Sequence, residues 1–134
     1  MRYFASILCL LSVTACDFWS PTEPGPVNVE LTLAPGQVRS VNGTDISIKF
    51  DAVVGDNRCP ADAICITGGS ADIRIQVLGP GGRAQAYELR TGDQRPVQHR
   101  DFRVELVEVT PYPFSSQPFD PADYRIKLRI TRQG

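Results

Sequence analysis

Apolar and polar residues alternate along several short runs of the chain, a period typical of β-strands that bury one face. In the clearest early run, Ile46, Ile48, Phe50 and Ala52 fall on one side and charged or polar residues on the other. Adjacent Leu106 and Val107 break the alternation of a later run, which indicates a β-bulge there. The pattern predicts seven strands: residues 27–33, 38–41, 46–52, 71–77, 84–90, 102–109 and 124–131.

Strands that are apolar on one face need a second layer to cover that face. No stretch has a convincing helical period, and 134 residues suit a single domain. The sequence therefore predicts an all-β, antiparallel β-sandwich at residues 27–134, Ig-like and of about seven strands. A small closed barrel is the second choice of architecture.

The amino terminus has the layout of an export signal. Arg2 precedes a ten-residue apolar run, residues 4–13, which is too short to span a bilayer and fits a signal-peptide core. Residues 13–16, Val-Thr-Ala-Cys, resemble the lipobox of bacterial lipoproteins. This resemblance implies that residues 1–15 are removed and that Cys16 receives a diacylglycerol. An ordinary signal peptide with a chance cysteine is the alternative.

Residues 16–26 are predicted to be a lipidated cysteine followed by a flexible, proline-rich tether. Acyl chains on Cys16 would hold the protein on a membrane. We expect it in the bacterial cell envelope, on the inner or the outer membrane, with the domain facing the periplasm or the exterior.

Two of the four cysteines remain available, because Cys9 leaves with the cleaved signal peptide and Cys16 carries the lipid. Cys59 and Cys65 are expected to form a disulfide in an oxidising compartment. A metal site would need two more ligands, and a redox site would favour a Cys-x-x-Cys spacing. Neither feature accompanies the pair, so no metal site is predicted.

The segment Asp56-Asn57-Arg58-Cys59-Pro60, a four-residue spacer and then Cys65-Ile66-Thr67-Gly68-Gly69 carries a specific pattern. It resembles a group of small, uncharacterised bacterial secreted proteins and lipoproteins with Asp-Ser-Arg-Cys-Pro, a short spacer and Cys-Val-Trp-Ala-Gly. Thr67 stands where that group usually has tryptophan. The resemblance covers most of residues 27–132 and implies an exported β-domain, but it carries no activity with it.

Charge and motifs argue against several functions. The formal net charge is −1, and it becomes −2 when Arg2 leaves with the signal peptide, so a nucleic-acid partner is not expected. The only histidine, His99, is interpreted as a surface residue. The oxygen-bearing side chains of Asp51, Asp56, Asn57 and Asp62 are interpreted as turn caps rather than calcium ligands. We expect a monomer that is not an enzyme and uses no cofactor.

Two loops are the candidate contact regions. The predicted partner-binding residues are Arg58, Pro60, Tyr112, Phe114 and Phe119. Alternatively, the three aromatic residues fold back and plug one end of the sandwich. The leading hypothesis is a non-catalytic, membrane-tethered module that binds an envelope protein. The alternative is a periplasmic protease or hydrolase inhibitor that presents the disulfide-braced loop.

Overall fold

The computed structural model describes residues 24–93 and 95–133. The predicted signal peptide, residues 1–15, and the predicted lipidation site, Cys16, lie outside the described residues. Of the predicted tether, only residues 24–26 are described. Within the described ranges, no helix is long and apolar enough to cross a membrane.

Eight strands in the described residues form two four-stranded antiparallel sheets. The strands are β1 (Val27–Leu33), β2 (Val38–Ser40), β3 (Ser47–Asp56), β4 (Ala71–Leu78), β5 (Ala84–Arg90), β6 (Val97–His99), β7 (Phe102–Thr110) and β8 (Arg125–Arg132). One sheet has the order β1-β8-β7-β6, and the other has the order β2-β3-β4-β5. Two single turns of 3-10 helix lie at Pro80–Gly82 and Pro121–Asp123.

The core lies between the two sheets, where the alternating apolar side chains meet. Ile48 and Phe50 of one sheet and Leu128 and Ile130 of the other are all fully buried. Full burial of one such side chain contributes about 1.5–3 kcal/mol, so this layer supplies the main stabilisation. The predicted all-β antiparallel sandwich is confirmed.

The connectivity is simpler than the Ig-like arrangement expected from the sequence. Among the eight described strands, neighbours in a sheet are consecutive in the chain, except that β1 pairs with β8. This is an up-and-down order rather than a Greek key, so the Ig-like expectation is wrong at the level of strand order. The structure has one more strand than the sequence predicts, because the polar segment Val97–His99 pairs with β7.

Bulges change the phase of two strands. A register shift between Phe50 and Ala52 turns Ala52 outward, so its predicted core position is wrong, and Val53 packs against the core instead. A further shift in β3 lies between Val53 and Gly55. In β7, the shift between Leu106 and Glu108 confirms the bulge predicted from the adjacent apolar pair. These shifts change which side chains face the core before each strand ends.

The up-and-down order places alternate connections at opposite ends of the sandwich. One end, here called the loop end, carries the two longest connections, residues 57–70 and 111–124. At the other end, the amino-terminal end, Val27 pairs with Arg132, and Arg132 Nη2 donates to Gly25 O (2.8 Å). The eight residues of β8 separate the two ends by about 23 Å.

Candidate functional site

The first long connection, residues 57–70, is here called the Cys loop. Its base continues the β3–β4 pairing, because Asn57 N donates to Ser70 O (2.9 Å) and Cys59 N donates to Gly68 O (2.8 Å). The Cys59–Cys65 disulfide closes the outer part of the loop, which confirms the predicted pairing. The loop is thus held both by a covalent link and by backbone hydrogen bonds.

Gly69 allows the two sides of the Cys loop to approach closely. Its φ of +62° lies in the left-handed region, where side chains are unfavourable. A Cβ at this position would lie 1.8 Å from Asn57 O and 3.1 Å from Arg58 Cα. Any larger residue would therefore push the base of the loop apart.

Arg58 connects the Cys loop to the end of β7. Its Nε and Nη2 donate to the Asp56 carboxylate (2.8 and 2.6 Å). The same guanidinium donates to Val109 O (2.6 Å) and Pro111 O (2.9 Å). Because Arg58 is only 8% exposed, these bonds form largely out of contact with water. They attach the loop to a strand of the opposite sheet.

Asp56 also accepts a hydrogen bond from Tyr124, the residue that precedes β8, whose Oη donates to the Asp56 carboxylate (2.8 Å). Burial by itself would raise the pKa of Asp56, but the hydrogen bonds from Arg58 and Tyr124 and the charge of Arg58 outweigh it, so its pKa is lowered from 3.8. Burial and the hydrogen bond to Asp56 raise the pKa of Tyr124 to about 12. We call Asp56, Arg58 and Tyr124 the loop-end triad.

The second long connection, residues 111–124, is here called the aromatic loop, and it is bonded directly to the Cys loop. Ala61 N donates to Pro113 O (2.9 Å). The Asp62 carboxylate accepts from Ser115 N (2.8 Å) and from Ser115 Oγ (2.6 Å), and these bonds lower the pKa of Asp62. The structure therefore brings the two candidate contact loops together at one end of the sandwich.

Four large apolar side chains on these loops face solvent. Ile64 and Ile66 are fully exposed, at 104% and 106%, while Tyr112 and Phe114 are 50% and 48% exposed. We call the surface formed by these four residues the double-loop face. Sequence reasoning missed both isoleucines, although two isoleucines flanking a cysteine in an otherwise polar loop are an unusual signal.

The predicted contact residues divide into two groups. Tyr112 and Phe114 lie on the double-loop face, with the Tyr112 ring 5.1 Å from the Arg58 Cζ. Phe119 is half-buried and packs edge-to-face on Tyr124 at 5.0 Å, so it plugs the sandwich as the alternative interpretation expected. Pro60 is half-buried, and Arg58 is buried with its guanidinium donating to groups of this chain. Arg58 therefore serves to hold the loops rather than to face a partner.

The aspartates and the asparagine in and near the Cys loop have separate hydrogen-bond partners. Asp51 accepts from Gln76 Nε2 (2.8 Å), and Asn57 Oδ1 accepts from Ser70 N (2.9 Å). Asp56 accepts from Arg58 and Tyr124 within the loop-end triad, and Asp62 accepts from Ser115 of the aromatic loop, as described above. No group of three or more metal-binding side chains comes together within residues 24–93 and 95–133.

His99 is not a surface residue, contrary to the expectation from its polar sequence neighbours. It is 9% exposed on β6, and its Nδ1 lies 2.9 Å from Tyr87 Oη on β5. The two rings pack edge-to-face at 5.9 Å. β5 and β6 are edge strands of opposite sheets, and the Tyr87–His99 pair packs between these two edges.

Lys127 and Arg129, on the outer face of β8, form cross-strand ion pairs. Lys127 Nζ lies 3.5 Å from Glu108 Oε2, and Arg129 lies within ion-pair distance of Glu30 and Glu105. Exposed pairs of this kind contribute little stability, but they balance the local charge of the sheet. These residues form a solvated charged face on the outer side of the sheet.

A scan against protein-family models found no match, and searches of curated proteins and of solved structures found no significant similarity. The fold class is an antiparallel sandwich with up-and-down strand order. Its distinguishing feature is a disulfide-closed loop joined to an aromatic loop. A function has to be inferred from that surface.

Proposed function

We propose that the chain is a cell-envelope lipoprotein whose domain is a non-catalytic module that binds another envelope protein through the double-loop face. The observation that carries this proposal is the exposure of Ile64, Ile66, Tyr112 and Phe114 on two loops that are bonded to each other. Isolated exposed apolar residues are ordinary on protein surfaces. Four such residues on neighbouring, braced loops are typical of an interaction site.

Preorganisation of the loops supports binding by this face. The disulfide, the loop-end triad and the Asp62–Ser115 bonds restrain the same two loops. Loops that are already ordered lose less conformational entropy when a partner binds, so more of the contact energy appears as affinity. The braced face is therefore better suited to recognition than two independent surface loops would be.

The position of the predicted tether also supports this proposal. Gly25 and Val27 lie at the amino-terminal end, about 23 Å from the loop end along β8. A lipid on Cys16 would restrain the chain from that side of the sandwich. The double-loop face would then be presented away from the point of attachment, toward partners in the surrounding compartment.

Cys16→Ser tests the anchor. In the producing bacterium, we expect the native chain to incorporate radiolabelled palmitate and to sediment with membranes. The Cys16→Ser chain should lose the label and leave the membrane fraction, because no thiol remains to carry lipid. Cys9→Ser is the matched control, since it changes a cysteine of the predicted signal peptide. Unchanged labelling and fractionation of the Cys16→Ser chain would rule out the anchor.

The contact surface is tested by site-specific photocrosslinking in intact cells. A benzoylphenylalanine at position 64 or 114 should give one discrete protein adduct that both positions share. The control position is Gln85, which is exposed on β5 and pairs with Val77 far from the loops. Adducts that are absent at both loop positions, or equally strong at Gln85, would contradict the proposal.

Inhibition of an envelope protease or hydrolase is the second candidate function. The observation that favours it is the fully exposed Ile64 inside a short loop that the Cys59–Cys65 disulfide closes. A braced loop of this kind can occupy an enzyme cleft without being easily deformed. Purified envelope proteases and hydrolases, assayed with the native domain and with its Ile64→Asp variant, would test this function. Absence of inhibition by the native domain across the panel would exclude it.

A further inference from the structure

The two loops that carry the double-loop face have more exposed acidic residues than basic ones. The nearest exposed cation in the chain is Arg125, the first residue of β8, which donates to Ala122 O (2.8 Å) and Tyr124 O (2.7 Å) of the aromatic loop. Apart from buried Arg58, the Cys loop and the aromatic loop contain no lysine or arginine. They contain three aspartates, Asp62, Asp120 and Asp123, and all three are exposed. Within the described part of the chain, none of the three forms an ion pair, so their charge is directed to solvent.

The three carboxylates differ in how firmly they are held. Asp62 is bonded to Ser115, and the Asp120 carboxylate accepts from Ala122 N (2.8 Å) at the start of the 3-10 turn. The Asp123 side chain makes no hydrogen bond to other described residues. Asp123 therefore contributes charge to this surface, and changing it should leave the loop bonds intact.

We propose that the partner of the double-loop face is a protein whose contact site is an apolar pocket bordered by lysine or arginine side chains. This proposal rests on the proposed function and specifies the chemistry of its partner. Complementary charge at the rim of an interface steers association and excludes wrong partners. Exposed apolar side chains on two acidic loops are matched by a partner that offers an apolar pocket and basic side chains beside it.

Charge also decides against two other occupants. A two-fold contact between copies of this chain would bring two acidic loop ends together, and like charges across an interface oppose association. An anionic lipid surface would repel the same carboxylates, whereas membrane-binding patches are enriched in lysine and arginine. Among the occupants that could cover exposed isoleucine and aromatic side chains, a cationic protein surface fits best.

The test uses the protein captured by the crosslinker at position 64, purified and mixed with the purified chain. Association and dissociation rate constants are measured by surface plasmon resonance at low and at high salt. Asp123→Lys should reduce the association rate constant by roughly tenfold at low salt, and high salt should reduce that difference. Glu105→Lys is the control, because it makes the same charge change at a half-buried position on β7, away from the two loops.

The outcomes separate this inference from the proposed function. Loss of affinity in Ile64→Ser together with the Asp123→Lys effect would support both. Loss in Ile64→Ser, with equal association rates for Asp123→Lys and Glu105→Lys, would refute the cationic border and leave the binding function standing. A crosslinked dimer of this chain, or adducts with lipid alone, would overturn the inference. Absence of any adduct would overturn both.

Discussion

Replacement of Arg58 by methionine tests whether the loop-end triad holds the two loops in place. Methionine has a similar length and fits an apolar environment, but it cannot donate any of the hydrogen bonds that Arg58 makes. The change leaves the Asp56 carboxylate without its cation and leaves Val109 O and Pro111 O without their donor. It therefore removes one partner of a buried ion pair whose side chains are 5% and 11% exposed.

The expected cost is about 3–5 kcal/mol, the range found when a buried pair loses one member. That is a large share of the 5–15 kcal/mol that stabilises a typical domain. The matched control is Arg74→Met, because Arg74 pairs with Glu88 at side-chain exposures of 49% and 61%. Its loss should cost less than about 1 kcal/mol.

Urea unfolding of the oxidised proteins, followed by circular dichroism, measures both free energies. Equal losses for Arg58→Met and Arg74→Met would refute the assignment of Arg58 to a buried, loop-holding role. A double-mutant cycle with Asp56→Asn adds a second check, because residues in direct contact should show a coupling energy of about 0.5–3 kcal/mol. A coupling energy near zero would show that the Asp56–Arg58 pair does not act as a unit.

Three further predictions concern the loop end. Gly69→Ala should destabilise the domain and shift the amide resonances of the Cys loop, because its Cβ would overlap Asn57 O; an unchanged spectrum would contradict this. Tyr124 is stabilising while protonated, and its pKa is raised from 10.0 to about 12, so stability should fall as pH rises from 10 through 12. Tyr124→Phe should lack that part of the alkaline loss in pH-dependent urea titrations. Reduction of the disulfide should lower stability by roughly 2 kcal/mol, since the closed loop is short; equal unfolding midpoints with and without reductant would refute this.

At acidic pH, stability should change in the opposite direction: it should fall as the pH is lowered. The pKa of Asp56 in the folded protein is lowered from 3.8, so its ionised form is stabilising above that pH. This contribution should disappear as pH falls through the lowered value. Asp56→Asn should therefore show a smaller acid-induced loss than the native chain, and an identical loss would show that the Asp56 carboxylate contributes no such stabilisation.

The alternation of apolar residues was sufficient to predict most strands, because a half-buried strand imposes a period of two on the sequence. It failed at Ala52, where a bulge changes the phase without any visible mark in composition. It also missed β6, since Val97–His99 has too few apolar residues to produce a pattern. Strand order was not predictable in the same way, because alternation carries no information about which strands pair.

The candidate site was predictable in part. The cysteine spacing and the aromatic-rich segment pointed to the correct loops, and the disulfide is confirmed. The role of Arg58 was not visible, because its acceptors Val109 O and Pro111 O lie about fifty positions later in the chain. Long-range backbone acceptors leave no residue-type signal, so a buried arginine looked like an exposed one.

Chemical footprinting in intact cells tests the double-loop face most directly, because it introduces no foreign group. Hydroxyl radicals would be generated around cells that carry the native chain and around the purified domain, and side-chain labelling would be compared by mass spectrometry. We expect Ile64, Ile66, Tyr112 and Phe114 to be labelled less in cells, with exposed Val38 and Val107 labelled equally in both samples. Equal labelling of the double-loop face in both samples, or protection that falls on the two valines instead, would contradict the account.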